Sequence, residues 1–368
     1  MFAKAYTWAD FYYPVATPSS MFKIASCSKP ITSIAIGRLL ERGVLSKADL
    51  LVSKVTLQPP QGAALPTGFS QITIEELRTH RSGLEPNWPD NATIAAAYGH
   101  PTPISIFEEI SYASAHSVFA PGFPSSTNLN VKYQNLNYAL LALVVRGVSL
   151  GLYTDYVRAQ IFGPLGLATP HVGASLHSQR PPLEVQHHSS CPSSVGINVV
   201  ATSPALVGSG YGTNVQENYE GYEDWVISTV DYAAILAAIG TGNLAKSPIL
   251  TQASMVDMFA KIDPTGQTDD FTQGGLFWGN SPGGVTVFGH NGGWSVGGAN
   301  CASWVLSRSD GVSVALFMNM DDSGPLGTFA YGSGGTNANG QLQNILDGIK
   351  TWPAKGDLFS AFGIPPLA

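Results

Sequence analysis

Charge is scarce in this chain. Asp, Glu, Lys and Arg make up only 12% of its 368 residues, no run of Lys or Arg occurs, and the net charge is −7. A nucleic acid or an anionic membrane surface would call for a basic patch, so neither is expected as the main partner. Cysteine is nearly as rare. Cys27, Cys191 and Cys301 form an odd, widely spaced set without a C-x-x-C pair; this gives neither a disulfide framework nor a zinc site and predicts three free thiols. Long apolar runs are missing too, since the longest, 138–145, ends at Arg146, well short of the about 20 apolar residues that span a bilayer. The opening MFAKAYTWADFYYP carries Asp10 and Pro14 where a signal peptide would have its apolar core, so the expected location is cytoplasmic or that of a chain already processed.

What is present points to a folded globular protein. Hydrophobic residues are 44% of the chain, with 40 Gly and 25 Pro, which excludes intrinsic disorder and describes a turn-rich fold with a sizeable core. The length suits two domains, or one large domain with an insertion. Residues 5–25 read as strand material ending in a turn. They lead into PITSIAIGRLLERG, whose Ile31, Ile34, Ala35, Arg38, Leu39 and Arg42 follow helical spacing, with Gly43 closing the helix. ITIEELRTHRSGL predicts a short helix capped by Thr73 and ended by Gly83. From about residue 84 to 225 helical periodicity at 104–114, 137–148 and 153–162 alternates with long polar loops at 116–132 and 169–224, which reads as a mostly helical insertion. STVDYAAILAAIG then predicts a helix capped by Ser228 or Thr229. Residues 275–320 switch to β signals, FWG, VTVFGH, NCASWVL and VSVALFMN, read as consecutive antiparallel strands. QLQNILDGIK, before Trp352-Pro353, is an amphipathic helix, and the Gly/Ser-rich 323–340 segment is a loop.

Three short patterns could carry chemistry. Ser26-Cys27-Ser28-Lys29 sets a hydroxyl and an amine at i and i+3, neighbours on a helix face. With 36 Ser and 10 Lys, chance gives about one S-x-x-K in this chain, and Ser20-Met21-Phe22-Lys23 is a second. Context separates them. Pro30 lacks an N–H and is tolerated only in a helix's first turn, so the helix begins close to Ser26, where free N–H groups and the dipole favour a developing oxyanion. Ser20 and Lys23 lie in extended chain, where i and i+3 do not share a face. A serine hydroxyl needs a base, and Lys29 serves only if burial or a second cation lowers its pKa. Tyr133, followed by Asn135 at the start of a helix, is a candidate partner in proton transfer. The third pattern is Phe288-Gly289-His290-Asn291-Gly292-Gly293, followed by Trp294. Glycines within a strand mark close approach by a ligand or backbone. His290 could then face a substrate, with the N–H of Gly293 completing an oxyanion hole with that of Ser26.

Taken with their flanks, these patterns resemble the serine β-lactamase-like superfamily: class C β-lactamases, DD-peptidases and family VIII carboxylesterases. FKIASCSKPITSIAIGRLLERGVLSKADL, ITIEELRTHRSGL, YQNLNYALLALVV with IFGPLGL, WVISTVDYAAIL and GHNGGWSVGG look like that family's recurring blocks, spread from residue 22 to about 320. The resemblance implies an α/β (α+β) fold, with an antiparallel sheet flanked by helices built from 1–83 and 226–368, an inserted helical domain over 84–225, and a site in the cleft between. It implies Ser26 as acylated nucleophile, Lys29 and Tyr133 as its general-base pair, Asn135 as anchor for a substrate amide, and His290-Asn291-Gly292 as the third motif. No cofactor or metal is implied.

Two departures bear on function. His290 stands where β-lactamases commonly have Lys, which favours an ester or neutral amide substrate unless the histidine's pKa is raised. Only 25 residues precede Ser26, fewer than the family's opening helix and strand occupy. The leading expectation is a carboxylesterase on short-chain or aromatic esters, with Trp294 at the acyl pocket. Alternatives are a D-amino-acid peptidase or amidase, a weak β-lactamase, an acyltransferase, and a non-catalytic ligand-binding scaffold. Gly147-Val148-Ser149-Leu150-Gly151 matches the nucleophile elbow of α/β-hydrolases, but its helical flank argues for a helix end. His171, His177, His187 and His188 share one polar loop without metal-ligand spacing, and read as solvated. Trp88, Trp225, Trp278 and Trp304 could be core residues or cleft walls.

Overall fold

The computed structural model describes residues 3–6, 15–123, 129–187, 195–200, 206–208, 210–240, 247–263, 271–296, 299–319, 341–351 and 359–364. Its elements in chain order are β1 (Met21–Lys23), α1 (Lys29–Glu41), α2 (Ile74–Arg78), β2 (Leu84–Glu85), α3 (Asn91–Tyr98), α4 (Ile106–Ala115), β3 (Val118–Phe119), α5 (Asn135–Ser149), α6 (Tyr153–Val157), β4 (His171–Val172), β5 (Val195–Ile197), β6 (Leu206–Gly208), β7 (Trp225–Ser228), α7 (Thr229–Ile239), α8 (Gln252–Phe259), β8 (Phe277–Asn280), β9 (Thr286–Val296), β10 (Ala299–Arg308), β11 (Ser313–Met318) and α9 (Gln341–Gly348). Cys191, His188, Trp352 and the 323–340 segment lie outside the described residues.

The helix starts follow local chemistry. Thr73 caps α2 in a capping box: the Glu76 N–H donates to Thr73 Oγ1 at 3.2 Å and the Thr73 N–H donates to Glu76 Oε2 at 2.8 Å. Ser228, not Thr229, caps α7 by accepting the Asp231 N–H at 3.0 Å. Pro30 sits in the first turn of α1, and Gly43 closes that helix at φ 66°. Gly83 does not end α2, which stops at Arg78; the left-handed residue after it is His80, at φ 56°.

β8 to β11 form a four-stranded sheet in the order β11-β10-β9-β8, each pair antiparallel, as the consecutive β signals and the turns between them predict. β9 is longer than expected and takes in the His290–Gly293 segment. β1, β7 and β4 make a second, three-stranded antiparallel sheet. The 84–225 stretch is helical only as far as Leu165; beyond it come β4, β5, β6 and short 3-10 turns, because polar and glycine-rich sequence there gives no helical apolar stripe. Nor does it fold around a wholly separate core. One cluster of buried side chains joins Ile24 and Ile31 to Leu141, Trp225, Val305 and Phe317. Among the described residues no single helix is long and apolar enough to cross a membrane.

The contact that positions the site is where β9 crosses the 3-10 turn Ala25–Ser28. A Cβ on Gly292 would lie 2.3 Å from the Ile24 carbonyl oxygen and 2.4 Å from Ser303 Oγ. Only glycine lets the strand come this close. Gly292→Ala is therefore expected to cost about 1–3 kcal/mol by forcing strand and turn apart. Gly293→Ala, whose Cβ would meet nothing within 4 Å, should leave thermal unfolding unchanged; equal melting temperatures for the two variants would refute this account.

Candidate active site

Ser26 lies in the 3-10 turn that runs directly into α1. Ala25 before it adopts φ 45°, a left-handed conformation that costs a non-glycine residue about 1–3 kcal/mol unless its surroundings impose it. Here they do. The Ile24 N–H donates to Trp225 O at 3.1 Å, and the Ile24 carbonyl accepts from the Cys27 N–H at 3.0 Å and from Ser303 Oγ at 2.6 Å. The Cys27 carbonyl accepts from the Tyr232 hydroxyl at 2.8 Å, and the Trp225 N–H donates to Ser28 Oγ at 3.1 Å. Strands and a helix far apart in sequence thus hold every neighbour of Ser26.

Lys29, fully buried, places Nζ 2.7 Å from Ser26 Oγ and donates to the Tyr222 carbonyl at 3.0 Å. Burial pushes its pKa down to about 7, against the raising influence of Glu223. Tyr133 reaches in from the loop before α5. Lys29 Nζ lies 5.0 Å from the centre of its ring, and its hydroxyl hydrogen-bonds Ser26. The ring is partly open to solvent while the hydroxyl end is enclosed, so burial holds the phenol well above its ordinary value and keeps it protonated. Ser26, Lys29 and Tyr133, 107 residues apart at the extremes, therefore converge.

The third motif lies beside them. His290 is buried, with its ring centre 5.8 Å from that of Tyr133, and its Nδ1 donates to the Asn291 carbonyl at 2.5 Å. That bond leaves Nε2 unprotonated, and no partner meets it among the described residues. Burial and the neighbouring Lys29 bring the pKa of His290 down to about 3, the direction opposite to the one a cation here would need. Gly292 packs on the turn and Gly293 is exposed with open space above it. Asn135 is the first residue of α5 and half-buried, as is Asn291 on β9.

Trp294 is placed otherwise than expected. It is 6% exposed, packs with Ala25 and Cys301, and has Lys23 Nζ 4.5 Å from its ring, leaving little of it to receive an acyl chain. That Lys23 belongs to the second S-x-x-K. It forms a buried ion pair with Asp224 at 2.8 Å and bonds Gln216, while Ser20 turns to the Thr17 N–H at 2.8 Å; this pair is structural. Ser149 ends α5 with its Oγ buried, and no strand leads into it, so it is no nucleophile elbow. Of the loop histidines, His177 is exposed as expected, whereas His171 pairs with Glu184 at 3.0 Å and His187 is buried. Among the other tryptophans, Trp225 and Trp304 are core, Trp88 bonds Glu109 at 3.0 Å, and Trp278 carries Lys261 over its ring. Cys27 and Cys301 are buried free thiols.

Sequence reasoning missed Tyr222, Glu223 and His80. Tyr222 contributes a carbonyl, which no sequence pattern announces, and Glu223 follows it directly, beside Lys29.

A family model described as Beta-lactamase matches residues 2–332, and the chain belongs to that family. Its fold is the β-lactamase/transpeptidase-like one, and its family relatives are serine hydrolases. The chain is 33% identical over 149 residues to the D-alanyl-D-alanine-carboxypeptidase/endopeptidase AmpH of Escherichia coli (strain K12), covering 40% of this chain and 36% of that protein. It spans about a third of the length of the curated relatives it matches. Among solved structures it resembles FmtA from Staphylococcus aureus, with a TM-score of 0.63 at 16% identity over 96% of this chain and 83% of that one. The D-amino acid amidase from Ochrobactrum anthropi SV3 has the same TM-score, 0.63, at 19% identity over 93% and 90% of the two chains.

Two outcomes follow from the state of Lys29. If its neutral amine is the base, kcat/KM for any acyl substrate rises with pH through about 7, and no limb arises from His290. Between pH 7 and 10.5 the folded chain has released a proton that the unfolded chain keeps, so stability rises with pH across that window. Lys29→Met removes the burial penalty: at pH 7.5 its melting temperature should rise by about 2–8 °C while acylation falls about 10³-fold. A lower melting temperature would contradict the assignment of a strained, desolvated amine.

Proposed function

We propose that this chain is a serine hydrolase that acylates Ser26 and passes the acyl group to water, acting on uncharged carboxylic esters. The observation that carries this reading is the 2.7 Å contact between a fully buried Lys29 amine and the Ser26 hydroxyl. The Ser26 proton moves to the Lys29 nitrogen as the Oγ–C bond forms, and the carbonyl π pair moves onto oxygen, where the N–H groups of Ser26 and Gly293 receive it. The ester C–O bond then breaks, and the departing alkoxide takes the proton from Lys29 by way of the protonated Tyr133 hydroxyl. Water attacks the acyl-enzyme by the same route, returning Ser26 to its starting state. Asn135, Asn291 and His290 line the acyl donor, with His290 offering an acceptor nitrogen rather than a charge. The loss of a fixed cation there supports uncharged acyl donors over substrates with a carboxylate beside the scissile bond. Nothing in this route asks for a cofactor.

A second reading, an amidase on acyl groups bearing a free amine, is favoured by one observation: half-buried Glu223 follows the carbonyl that binds Lys29 and brings a carboxylate to that end of the site. The amidase neighbour is consistent with it. A non-catalytic scaffold is disfavoured, since a bare ligand site needs neither a desolvated amine nor a strained serine turn.

The test is intact-protein mass spectrometry with peptide mapping after exposure to a fluorophosphonate, p-nitrophenyl butyrate, D-phenylalanine amide and a penicillin. The expected result is a fluorophosphonate adduct on Ser26 with turnover of the ester. Preferential turnover of the amino-acid amide, lost in Glu223→Gln, would transfer the assignment to the second reading. A long-lived penicilloyl adduct would point to a peptidase, and no adduct on any serine would overturn the proposal.

A further inference from the structure

His80 is buried completely, stands in a left-handed conformation and touches the Tyr133 loop at three points. Its carbonyl accepts the Lys132 N–H at 2.7 Å, its Nδ1 accepts the Gln134 N–H at 3.3 Å, and its ring centre lies 4.5 Å from that of Tyr133. Both chain neighbours of Tyr133 are thus bonded to one residue, which also supports the phenol ring from beneath. The rest of the network keeps that residue in place. Because a backbone N–H can only donate, Nδ1 is an acceptor, and the proton of the neutral ring sits on Nε2. The Asn137 side-chain nitrogen therefore donates to Nδ1 at 3.1 Å, and Asn137 Oδ1 accepts from Ser82 Oγ at 2.5 Å. On its other side the ring packs on Tyr138, 4.9 Å away, whose hydroxyl donates to the Arg78 carbonyl at 3.0 Å.

We infer that His80 is a positioning residue, which fixes Tyr133 over Lys29 and Ser26 without touching the substrate. The inference rests on the proposed role of Ser26, Lys29 and Tyr133 in acyl transfer. It does not require His80 to titrate: burial, Lys29 and His290 hold its pKa well below 6.5, so it is neutral wherever the enzyme works. Its loss has a distinctive signature. Lys29 is faced by Ser26 and Cys27 from its own turn, by Tyr222 and Glu223 from the segment before β7, by His290 from β9 and by Tyr133 and His80. Of these, Tyr133 is the most exposed and stands on the loop before α5, so loosening it admits water to the amine. Hydration favours the charged form and moves the acid limb of the pH profile upward.

The experiment compares the full chain with His80→Phe, which keeps a ring and loses the acceptor, and with His80→Asn, which keeps an acceptor and suits the left-handed backbone. Ester hydrolysis and the rate of fluorophosphonate labelling of Ser26 are followed against pH, alongside thermal unfolding. His80→Phe should lower kcat about 100-fold with KM changed by less than about threefold, and shift the acid limb up by about one pH unit. His80→Asn should recover to within about tenfold of the parent. Combined with Tyr133→Phe, His80→Phe should add almost nothing, since both act through one phenol. If His80→Phe does not fold, Asn137→Leu removes the amide that orients the imidazole and should show the same shifted limb and the same non-additivity in weaker form. Additive losses with an unmoved acid limb would reduce His80 to a packing residue and overturn the inference. A parent chain that takes no label on Ser26 would instead mean that the functional reading itself has failed.

Discussion

Everything at this site depends on keeping water away from one amine. In solution a lysine side chain is a spent base, already protonated, and a serine beside it is inert. Lys29 escapes this because α1 draws it into the core immediately after the 3-10 turn, where, among the described residues, Ser26 Oγ and the Tyr222 carbonyl are the groups that meet its nitrogen within bonding distance. Two acceptors, neither of them charged, do not replace the hydration of an ammonium ion. The site is thus made by desolvation first and by geometry second. The elements around it serve that end: Tyr133 covers the amine, β9 closes one side through a glycine, and the segment before β7 closes another.

How far this was legible in the sequence differs from part to part. The serine and lysine were readable because Pro30 allows a helix start at only one place, and because i and i+3 are meaningful spacings once a helix is there. The four C-terminal strands were readable from short apolar, β-branched and aromatic runs parted by Gly- and Asp-containing turns, even though β10 is buried on both faces from Cys301 to Arg308. Tyr133 was visible only as a phenol before a helix; its place over Lys29 is a long-range contact that no local pattern contains. His80 and Tyr222 were invisible for a stronger reason. One acts through a backbone carbonyl and a ring nitrogen, the other through a carbonyl alone, and main-chain groups are the same in every residue. Trp294 misled because adjacency in sequence to the third motif says nothing about facing: its ring packs on Lys23 and Ala25. Within 169–224, read as a polar loop, the short strands β4, β5 and β6 were missed because their few residues carry no period.

Strain and burial occur together here. Of the three non-glycine residues with left-handed backbones among the described residues, Ala25 stands beside Ser26 and His80 beneath the phenol, while the exposed Leu150 closes α5. Hydrogen bonds from distant elements hold the residues around Ala25 and hold His80 itself, and each lies within a turn of a group whose ionisation burial has displaced. Such residues persist only where the surrounding fold imposes them. A site built this way is sensitive to small losses of packing at some distance, because any slackening relaxes the backbone and hydrates the amine in one step.

The anchoring of Ile24 also sets when the site can exist during synthesis. Its N–H is met by Trp225 and its carbonyl by Ser303, partners about 200 and 280 residues later in the chain. The segment with the proposed nucleophile therefore leaves the ribosome before the groups that hold it in shape. Until β10 has emerged, the strained turn at Ala25 has nothing to impose it and Lys29 nothing to seal it. Over that stretch of synthesis Ser26 lacks its setting, which forms only when β9 and β10 pack on the turn.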